Sequence, residues 1–290
     1  MPRSDILIAV DGSAESDAAI RWATREALLL GAATVTLVHV VAPVVVSWPV
    51  ANLRSDFCDW QEENAQQVLE RAQKLVQAEM GDAHPPKVTE LVLHGNVAPT
   101  LVRLSTEAGL VVVGSRGLGG VAGAVLGSTS RSLLHHAHCP VTVIHRDEAH
   151  AVDANSPVLV GIDGSPVSEA ATARAFDEAS RRRVDVVALH AWSDVRMPSA
   201  LGVGWHEYED QGHEVLGERL AGWQERYPDV GVRRRIVCDR PAHWLIDESQ
   251  RAQLVVLGSR GRGGFAGMLL GSVSTTVAGM AKCPVMVVRQ

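Results

Sequence analysis

Short, uninterrupted hydrophobic runs alternate along the chain with stretches in which hydrophobic residues recur every three or four positions. The run at 6–10 is typical of a strand buried on both faces. The spacing of Ala19, Trp22, Ala23, Ala27 and Leu30 after it is typical of one face of a helix. The pattern therefore predicts a strand followed by a helix, which Ser13 can cap at its start and Gly31 can end.

The same alternation continues to the end of the chain. The first half predicts strands at 6–10, 35–41, 88–93, 110–113 and 141–144, with an irregular segment at 42–53 and helices at 55–80, 97–106 and 128–137. The second half predicts strands at 158–162, 184–190, 232–237, 254–257 and 285–288, with helices between them. Strict alternation of apolar strands with helices predicts a parallel sheet covered on both faces. The common doubly wound strand orders place strands 1 and 4 side by side, where ligands bind at the carboxyl ends of the strands.

The two halves are copies of one domain. One constant spacing separates Gly114 from Gly258, Gly127 from Gly271 and Cys139 from Cys283, and Asp-Gly-Ser follows the first strand of each half. Agreement at separated places indicates duplication of a whole domain. We expect a first domain at 1–146, a linker at 147–156 and a second domain at 157–290, all within the 290 residues.

Composition narrows the class of protein. Hydrophobic residues make up 46% of the chain and the net charge is −6, which is ordinary for a globular protein and argues against nucleic-acid binding. The sequence shows no signal-peptide pattern and no apolar run of the roughly 20 residues that span a membrane. The four cysteines form no C-x-x-C pair and are expected to be free thiols. We therefore expect a cytoplasmic protein with no nucleic-acid or membrane partner.

A glycine-rich segment after the fourth strand of each half carries the candidate chemistry. It reads Gly-Ser-Arg-Gly-Leu-Gly-Gly from Gly114 and Gly-Ser-Arg-Gly-Arg-Gly-Gly from Gly258, and a Ser/Thr-rich helix start follows each copy. Glycines permit positive φ or close approach of a ligand, and the first N–H groups of a helix attract anions. Hydroxyls of Ser128 and Ser130 are further candidate donors. The segment predicts a phosphate site at the carboxyl ends of strands 1 and 4.

Three known kinds of phosphate site have glycine patterns similar to this segment. A P-loop requires Gly-Lys-Ser/Thr, and no lysine precedes Ser128 or Ser272. The dinucleotide pattern G-x-G-x-x-A is present, but that pattern belongs after strand 1 rather than strand 4. The third pattern, Gly-x2-Gly-x9-Gly-Ser, is complete in both halves.

These residues resemble the universal stress protein family, in its tandem ATP-binding form known from actinobacteria such as mycobacteria. The resemblance extends over nearly the whole chain and includes the strand exits at Asp11 and Asp163 and the Cys-Pro-Val before each last strand. It implies two flavodoxin-like (Rossmann-like) α/β domains, each a five-stranded parallel sheet of order 3-2-1-4-5 with helices on both faces. It also implies that the last strands, 141–144 and 285–288, dock the domains as an intrachain pseudo-dimer.

The resemblance implies one nucleotide site in each domain, with adenine near the strand 1 aspartate and the strand 2 backbone. The implied first site comprises Asp11, Val40, Gly114, Arg116, Gly117, Gly127, Ser128, Thr129 and Ser130. The implied second site comprises Asp163, Ala191, Gly258, Arg260, Gly261, Gly271, Ser272, Val273 and Ser274. Because alanine replaces Val40 and valine replaces Thr129 in the second site, the two sites need not have equal affinity.

The implied function is nucleotide-dependent regulation of stress response and dormancy, with ATP and Mg²⁺ as ligands, a homodimer and an unidentified protein partner. Two alternatives stay open: a slow ATPase or phosphoryl or nucleotidyl transferase, and a scaffold that acts through its dimer surface. No catalytic residue or metal ligand is predicted. The histidines at 135, 136 and 138 are interpreted as a cationic helix end, because their counterparts are Gly279, Met280 and Lys282. Asp11 and Asp163 have a simpler interpretation as helix caps.

Overall fold

The computed structural model describes residues 5–43, 51–81, 86–119, 125–146, 153–191, 205–262 and 269–289, with the side chains of 51–56, 205–211 and 215 left aside. The chain divides into two compact units, Met1–Arg146 and Asp147–Gln290. Most of the predicted linker, residues 147–152, lies outside the described residues. We call the units the N-terminal and the C-terminal unit.

The N-terminal unit is a parallel sheet with helices between its strands. The strands are β1 (Ile6–Ala9), β2 (Thr34–Val41), β3 (Lys87–His94), β4 (Leu110–Gly114) and β5 (Val141–Ile144). The helices are α1 (Ala14–Leu30), α2 (Ala51–Met80), α3 (Val97–Leu104) and α4 (Ser128–His136). The order β3-β2-β1-β4-β5 confirms the predicted 3-2-1-4-5. The predicted start of the second helix was wrong, because α2 begins at Ala51 inside the segment expected to be irregular.

The C-terminal unit repeats this arrangement. Its strands are β6 (Val158–Gly161), β7 (Val186–Ala191), β8 (Val232–Val237), β9 (Leu254–Gly258) and β10 (Val285–Val288). Its helices are α5 (Pro166–Arg182), α6 (Trp205–Arg226), α7 (Pro241–Glu248) with a 3-10 turn at Ser249–Arg251, and α8 (Ser272–Met280). The strands are again parallel, in the equivalent order β8-β7-β6-β9-β10. Throughout the described part of the chain, every helix is too short or too polar to span a bilayer.

The apolar runs become the centre of each sheet. All of β4 and β5 is buried, and Ile6 and Ile8 of β1 are at most 1% exposed. Burial on both faces explains why these strands read as continuous hydrophobic runs. The outer strand β3 has an exposed residue at each end and no fully buried residue, so it lies outside this core.

Local signals set the ends of the first helix in each unit. The Ser13 hydroxyl accepts a hydrogen bond from the Ser16 amide at 3.1 Å, and Gly31 ends α1 with φ at 58°. In the C-terminal unit Ser165 caps α5 in the same way, but Arg183 takes the left-handed position, with φ at 56°. Both predicted caps of the first helix are confirmed. Arg183 therefore ends α5 in a backbone conformation that glycine adopts more readily, and its N–H is bonded to the last turn of the helix.

The cysteines differ sharply in their environments, which leads to a prediction about thiol reactivity. Burial raises the pKa of both Cys139 and Cys283 to about 12, whereas Cys58 is exposed. Because the thiolate is the reactive form, we expect iodoacetamide to alkylate Cys58 of the native chain at pH 8 and to spare Cys139 and Cys283. Peptide mass spectrometry checks this result, with labelling in urea as the control. Equal labelling of Cys58, Cys139 and Cys283 before unfolding would contradict it.

Candidate functional site

The carboxyl ends of β1 and β4 meet at the point where the strand order reverses. Asp11 follows β1, and its carboxylate joins the two strand exits. Oδ1 accepts the Ser13 N–H at 3.0 Å, and Oδ2 accepts the Leu118 N–H from the glycine loop at 3.1 Å. The interpretation of Asp11 as the cap of the first helix is wrong, because Ser13 is the N-cap of α1. Asp11 instead forms a turn just before the helix and fixes the loop that borders the crevice.

The C-terminal unit builds the same connection. Asp163 Oδ1 accepts the Ser165 N–H at 2.9 Å, and Oδ2 accepts the Arg262 N–H at 3.0 Å. The hydrogen bonds match pair for pair those of Asp11, Ser13 and Leu118. The duplicated sequence therefore preserves a loop geometry as well as a pattern of residue types.

The glycines at these exits are required by close packing. A Cβ on Gly117 would come against Asp11 Oδ2, and a Cβ on Gly261 would come against Asp163 Oδ2. A Cβ on Gly114 would lie 2.8 Å from the Cβ of Glu15 and 2.9 Å from its backbone carbonyl carbon. Neither Gly114 nor Gly117 has a positive φ. Of the two reasons that the sequence offered for these glycines, backbone conformation is therefore excluded for this pair.

The serine two residues into each loop helix closes the loop. Ser130 Oγ donates to the Gly114 carbonyl at 2.7 Å, and Ser274 Oγ donates to the Gly258 carbonyl at 2.7 Å. The Gly127 N–H is likewise used, at 2.8 Å from the Ser115 carbonyl. In this conformation the single proton of the Ser130 hydroxyl serves the backbone, so donation to a ligand, which stays a prediction, requires the hydroxyl to rotate away from the Gly114 carbonyl.

The start of each loop helix remains open to an anion. Helix α4 begins at Ser128 after Gly127, and α8 begins at Ser272 after Gly271, with no side-chain hydrogen bond at either cap. The first N–H groups of a helix have no partner within the helix, and the helix dipole adds positive potential there. Ser128 and Ser272 are exposed, so their hydroxyls also face solvent.

A cavity of about 1010 Å³ lies over this end of the N-terminal sheet. It is lined by every residue expected for the first site: Asp11, Val40, Gly114, Arg116, Gly117, Gly127, Ser128, Thr129 and Ser130. Ala9, Leu101 and Leu126 give it an apolar wall, while Arg131 and His135 add basic groups. Sequence reasoning missed Arg131, although its position one helical turn after Gly127 could have indicated it.

A cavity of about 820 Å³ occupies the same place in the C-terminal unit. It is lined by every residue expected for the second site: Asp163, Ala191, Gly258, Arg260, Gly261, Gly271, Ser272, Val273 and Ser274. Arg240, His243 and Arg262 also line it and were not expected. The Gly-Arg-Gly-Arg-Gly wording of this loop was a usable signal for Arg262.

The strand histidines support the backbone near the cavities. Nδ1 of His39 lies 2.8 Å from the Val10 carbonyl, and Nδ1 of His190 lies 2.7 Å from the Ile162 carbonyl. Because a carbonyl oxygen only accepts, Nδ1 carries the proton in each ring. The two imidazoles thus tie the second strand of each unit to the residue before the key aspartate. Among the described residues, no group of three or more His, Cys, Asp or Glu side chains is placed to hold a metal ion.

Known proteins provide an independent comparison with this duplicated site. The model of the universal stress protein family matches residues 2–145 and again residues 155–289. A universal stress protein of Mycolicibacterium smegmatis is 56% identical over 284 residues, which cover 98% of this chain and 96% of that protein. A universal stress protein of Mycobacterium tuberculosis is 48% identical over 286 residues, with 98% and 96% coverage.

The fold comparison agrees with the sequence comparison. The crystal structure of a universal stress protein from Archaeoglobus fulgidus superposes with a TM-score of 0.72 at 21% identity, covering 99% of this chain and 97% of the other. At that identity the likeness shows a shared fold only. The two matches to the family model and the relatives of 48–56% identity are the evidence for common ancestry. Two matched copies, each with the same strand order and the same aspartate-to-glycine-loop bond, show that the chain belongs to the universal stress protein family.

Proposed function

We propose that each unit binds one ATP molecule and that the protein acts as a nucleotide-dependent regulator of stress response and dormancy. The observation that carries this proposal is the duplicated cavity, which has an apolar wall at one end and an uncapped helix start at the other. Such a cavity suits a ligand with an aromatic base and a phosphate tail.

The base end of the proposed site is formed by the exits of the first two strands. Val40 and Ala191 line equivalent positions of the two cavities, with Leu101 and Leu245 on the third helix of each unit. Apolar side chains here favour burial of a planar ring, which supplies the non-directional part of the affinity. Asp11 and Asp163 also line the two cavities, and the hydrogen bonds that their carboxylates accept from the Leu118 and Arg262 N–H groups partly offset their negative charge.

The phosphate end of the proposed site is formed by the glycine loop, the first turn of α4 or α8, and arginines. Arg116 and Arg131 line the N-terminal cavity, and Arg240, Arg260 and Arg262 line the C-terminal cavity. A single helix N-terminus contributes about 0.3–1 kcal/mol, so charge-assisted hydrogen bonds must provide the larger share of phosphate affinity. Mg²⁺ fits this arrangement as a companion of the triphosphate, because it keeps several waters and binds through phosphate oxygens.

Regulation would follow if bound nucleotide changes the surface that a protein partner contacts. The bond from the aspartate to the glycine loop couples the cavity to the protein surface, since Leu118, whose N–H it holds, is 73% exposed. A ligand that binds this loop differently in two states would shift their populations by its difference in affinity.

Isothermal titration of the full chain with ATP and Mg²⁺ tests the proposed function. We expect two ATP molecules per chain, and mass spectrometry of gently isolated protein should find adenine nucleotide. The heat should disappear when the chain is saturated with ATP beforehand. A chain that binds no adenine nucleotide in either assay would rule out the proposal.

A further inference from the structure

The first arginine of the glycine loop has opposite surroundings in the two units. Arg116 Nη2 lies 3.1 Å from Glu15 Oε1, and the Glu15 side chain is only 12% exposed. Arg260 holds the equivalent place in the C-terminal unit, and no ion pair to it is found among the described residues. The reason is a single difference on the facing helix.

Glu15 and Val167 occupy the same position against the strand exit. A Cβ built on Gly114 would meet Glu15, and a Cβ built on Gly258 would meet Val167, whose carbonyl carbon would lie 3.0 Å away. A carboxylate therefore neutralises Arg116 in one unit, while an aliphatic side chain leaves the charge of Arg260 available in the other.

Further differences between the units also give the C-terminal cavity more positive charge than the N-terminal cavity. The loop residue whose N–H the aspartate binds is Leu118 in the N-terminal unit and Arg262 in the C-terminal unit. The cap residue before the third helix is Asn96 in one unit and Arg240 in the other, and only the arginine lines its cavity. Arg131 partly offsets these differences, because it lines the N-terminal cavity where the C-terminal unit has Thr275.

A further arginine, Arg289, follows β10 and lies within electrostatic range of Arg260. Burial, and in second place the positive charge of Arg260, lowers the pKa of the Arg289 guanidinium. The corresponding residue of the N-terminal unit is His145.

We propose that the two cavities select ligands of different charge: the C-terminal cavity selects a nucleotide with a polyphosphate tail, and the N-terminal cavity discriminates little between triphosphate and monophosphate. This inference rests on the proposed nucleotide function and assigns Glu15 and Val167 as its determinants. Glu15 acts on the ligand through Arg116 and is thus a positioning residue.

Competition titrations of the full chain with ATP and AMP test this inference. Gly261→Ala, whose Cβ comes against Asp163, isolates the N-terminal cavity, and Gly117→Ala isolates the C-terminal cavity. We expect the preference for ATP over AMP to be about five- to tenfold stronger in the C-terminal cavity, and to weaken at high salt because the arginines are exposed.

Variants that remove one charge test which residues set the preference for ATP over AMP. Glu15→Gln should raise the ATP preference of the N-terminal cavity about three- to fivefold, and Arg260→Gln should lower that of the C-terminal cavity by a similar factor, as expected for partly screened pairs. Glu70→Gln, which makes the same change of net charge at an exposed position that lines neither cavity, is the matched control. Each variant is compared with its parent by circular dichroism.

The possible results distinguish failure of this inference from failure of the proposed ATP-binding function. Equal ATP preferences in the two isolated cavities, or a preference that Glu15→Gln leaves unchanged, would overturn the charge assignment while ATP binding stands. Failure of the unsubstituted chain to bind either nucleotide would overturn both. An altered ATP preference with Glu70→Gln would also overturn the assignment, because it would show a general effect of net charge.

Discussion

Gly117→Ala and Gly261→Ala, made together, are expected to reduce ATP affinity at both cavities by at least about tenfold, which is 1.4 kcal/mol per site. Each new Cβ comes against the nearer oxygen of Asp11 or Asp163 and must displace that carboxylate. The displaced carboxylate loses its bond to the Leu118 or Arg262 N–H, and the loop is no longer held over the cavity. Isothermal titration measures the loss, and each single variant should weaken ATP binding at one cavity while the other cavity keeps its affinity.

The matched control for this experiment lies in the same loop. Gly119 also lines the N-terminal cavity, but a Cβ there would have no atom of the described residues within 4 Å, so Gly119→Ala makes the same chemical change without displacing the carboxylate. We expect this control to keep both sites. Full ATP binding by the double variant would contradict the assignment of the cavities, and loss of binding in Gly119→Ala would show that the loop needs flexibility rather than the aspartate bond.

Gly114→Ala is expected to destabilise the N-terminal unit by about 1–3 kcal/mol, the usual range for overpacking. Its Cβ would lie 2.8 Å from the Glu15 Cβ and 2.9 Å from the Glu15 carbonyl carbon, and a helix backbone cannot move aside as a side-chain end can. The lower backbone entropy of alanine in the unfolded chain recovers about 0.4–1 kcal/mol of this loss. Urea denaturation followed by far-ultraviolet circular dichroism measures the change in the free energy of unfolding.

Two related variants calibrate this prediction. Gly258→Ala should cost less, because its closest contact would be 3.0 Å, to the Val167 carbonyl carbon. Gly119→Ala should leave stability nearly unchanged. An unaltered free energy of unfolding in Gly114→Ala would mean that β4 and α1 can separate without cost, against the complete burial of that strand.

Much of the fold could be predicted from local patterns. The continuous hydrophobic runs of β1 and β4 marked central strands, because only strands covered on both faces lack polar positions. Ser13 and Gly31 marked the ends of α1. The start of α2 was missed, because segment 42–53 contains proline and no clear cap, while helix formation there depends on the rest of the unit.

The candidate site could be predicted by residue but not by role. Duplication and spacing identified Asp11, Gly117 and Ser130, and all three line the N-terminal cavity. Spacing could not show that the Ser130 hydroxyl is donated to Gly114, nor that Asp11 holds the Leu118 N–H. These are contacts between segments far apart in the chain, and sequence periodicity carries no information on which atoms meet.

The sequence by itself determined the duplication, the strand and helix alternation, and the place of the glycine loop after the fourth strand, because local periodicity and turn chemistry encode these features. Only the tertiary structure decided why Gly114 and Gly117 are glycines and which of the two loop arginines is paired with a carboxylate. Both depend on what α1 or α5 presents to the strand exit: Glu15 neutralises Arg116, whereas Val167 leaves Arg260 without a partner carboxylate at that position. The physical reason is that close packing and ion pairing depend on distance in space, which a linear pattern does not contain.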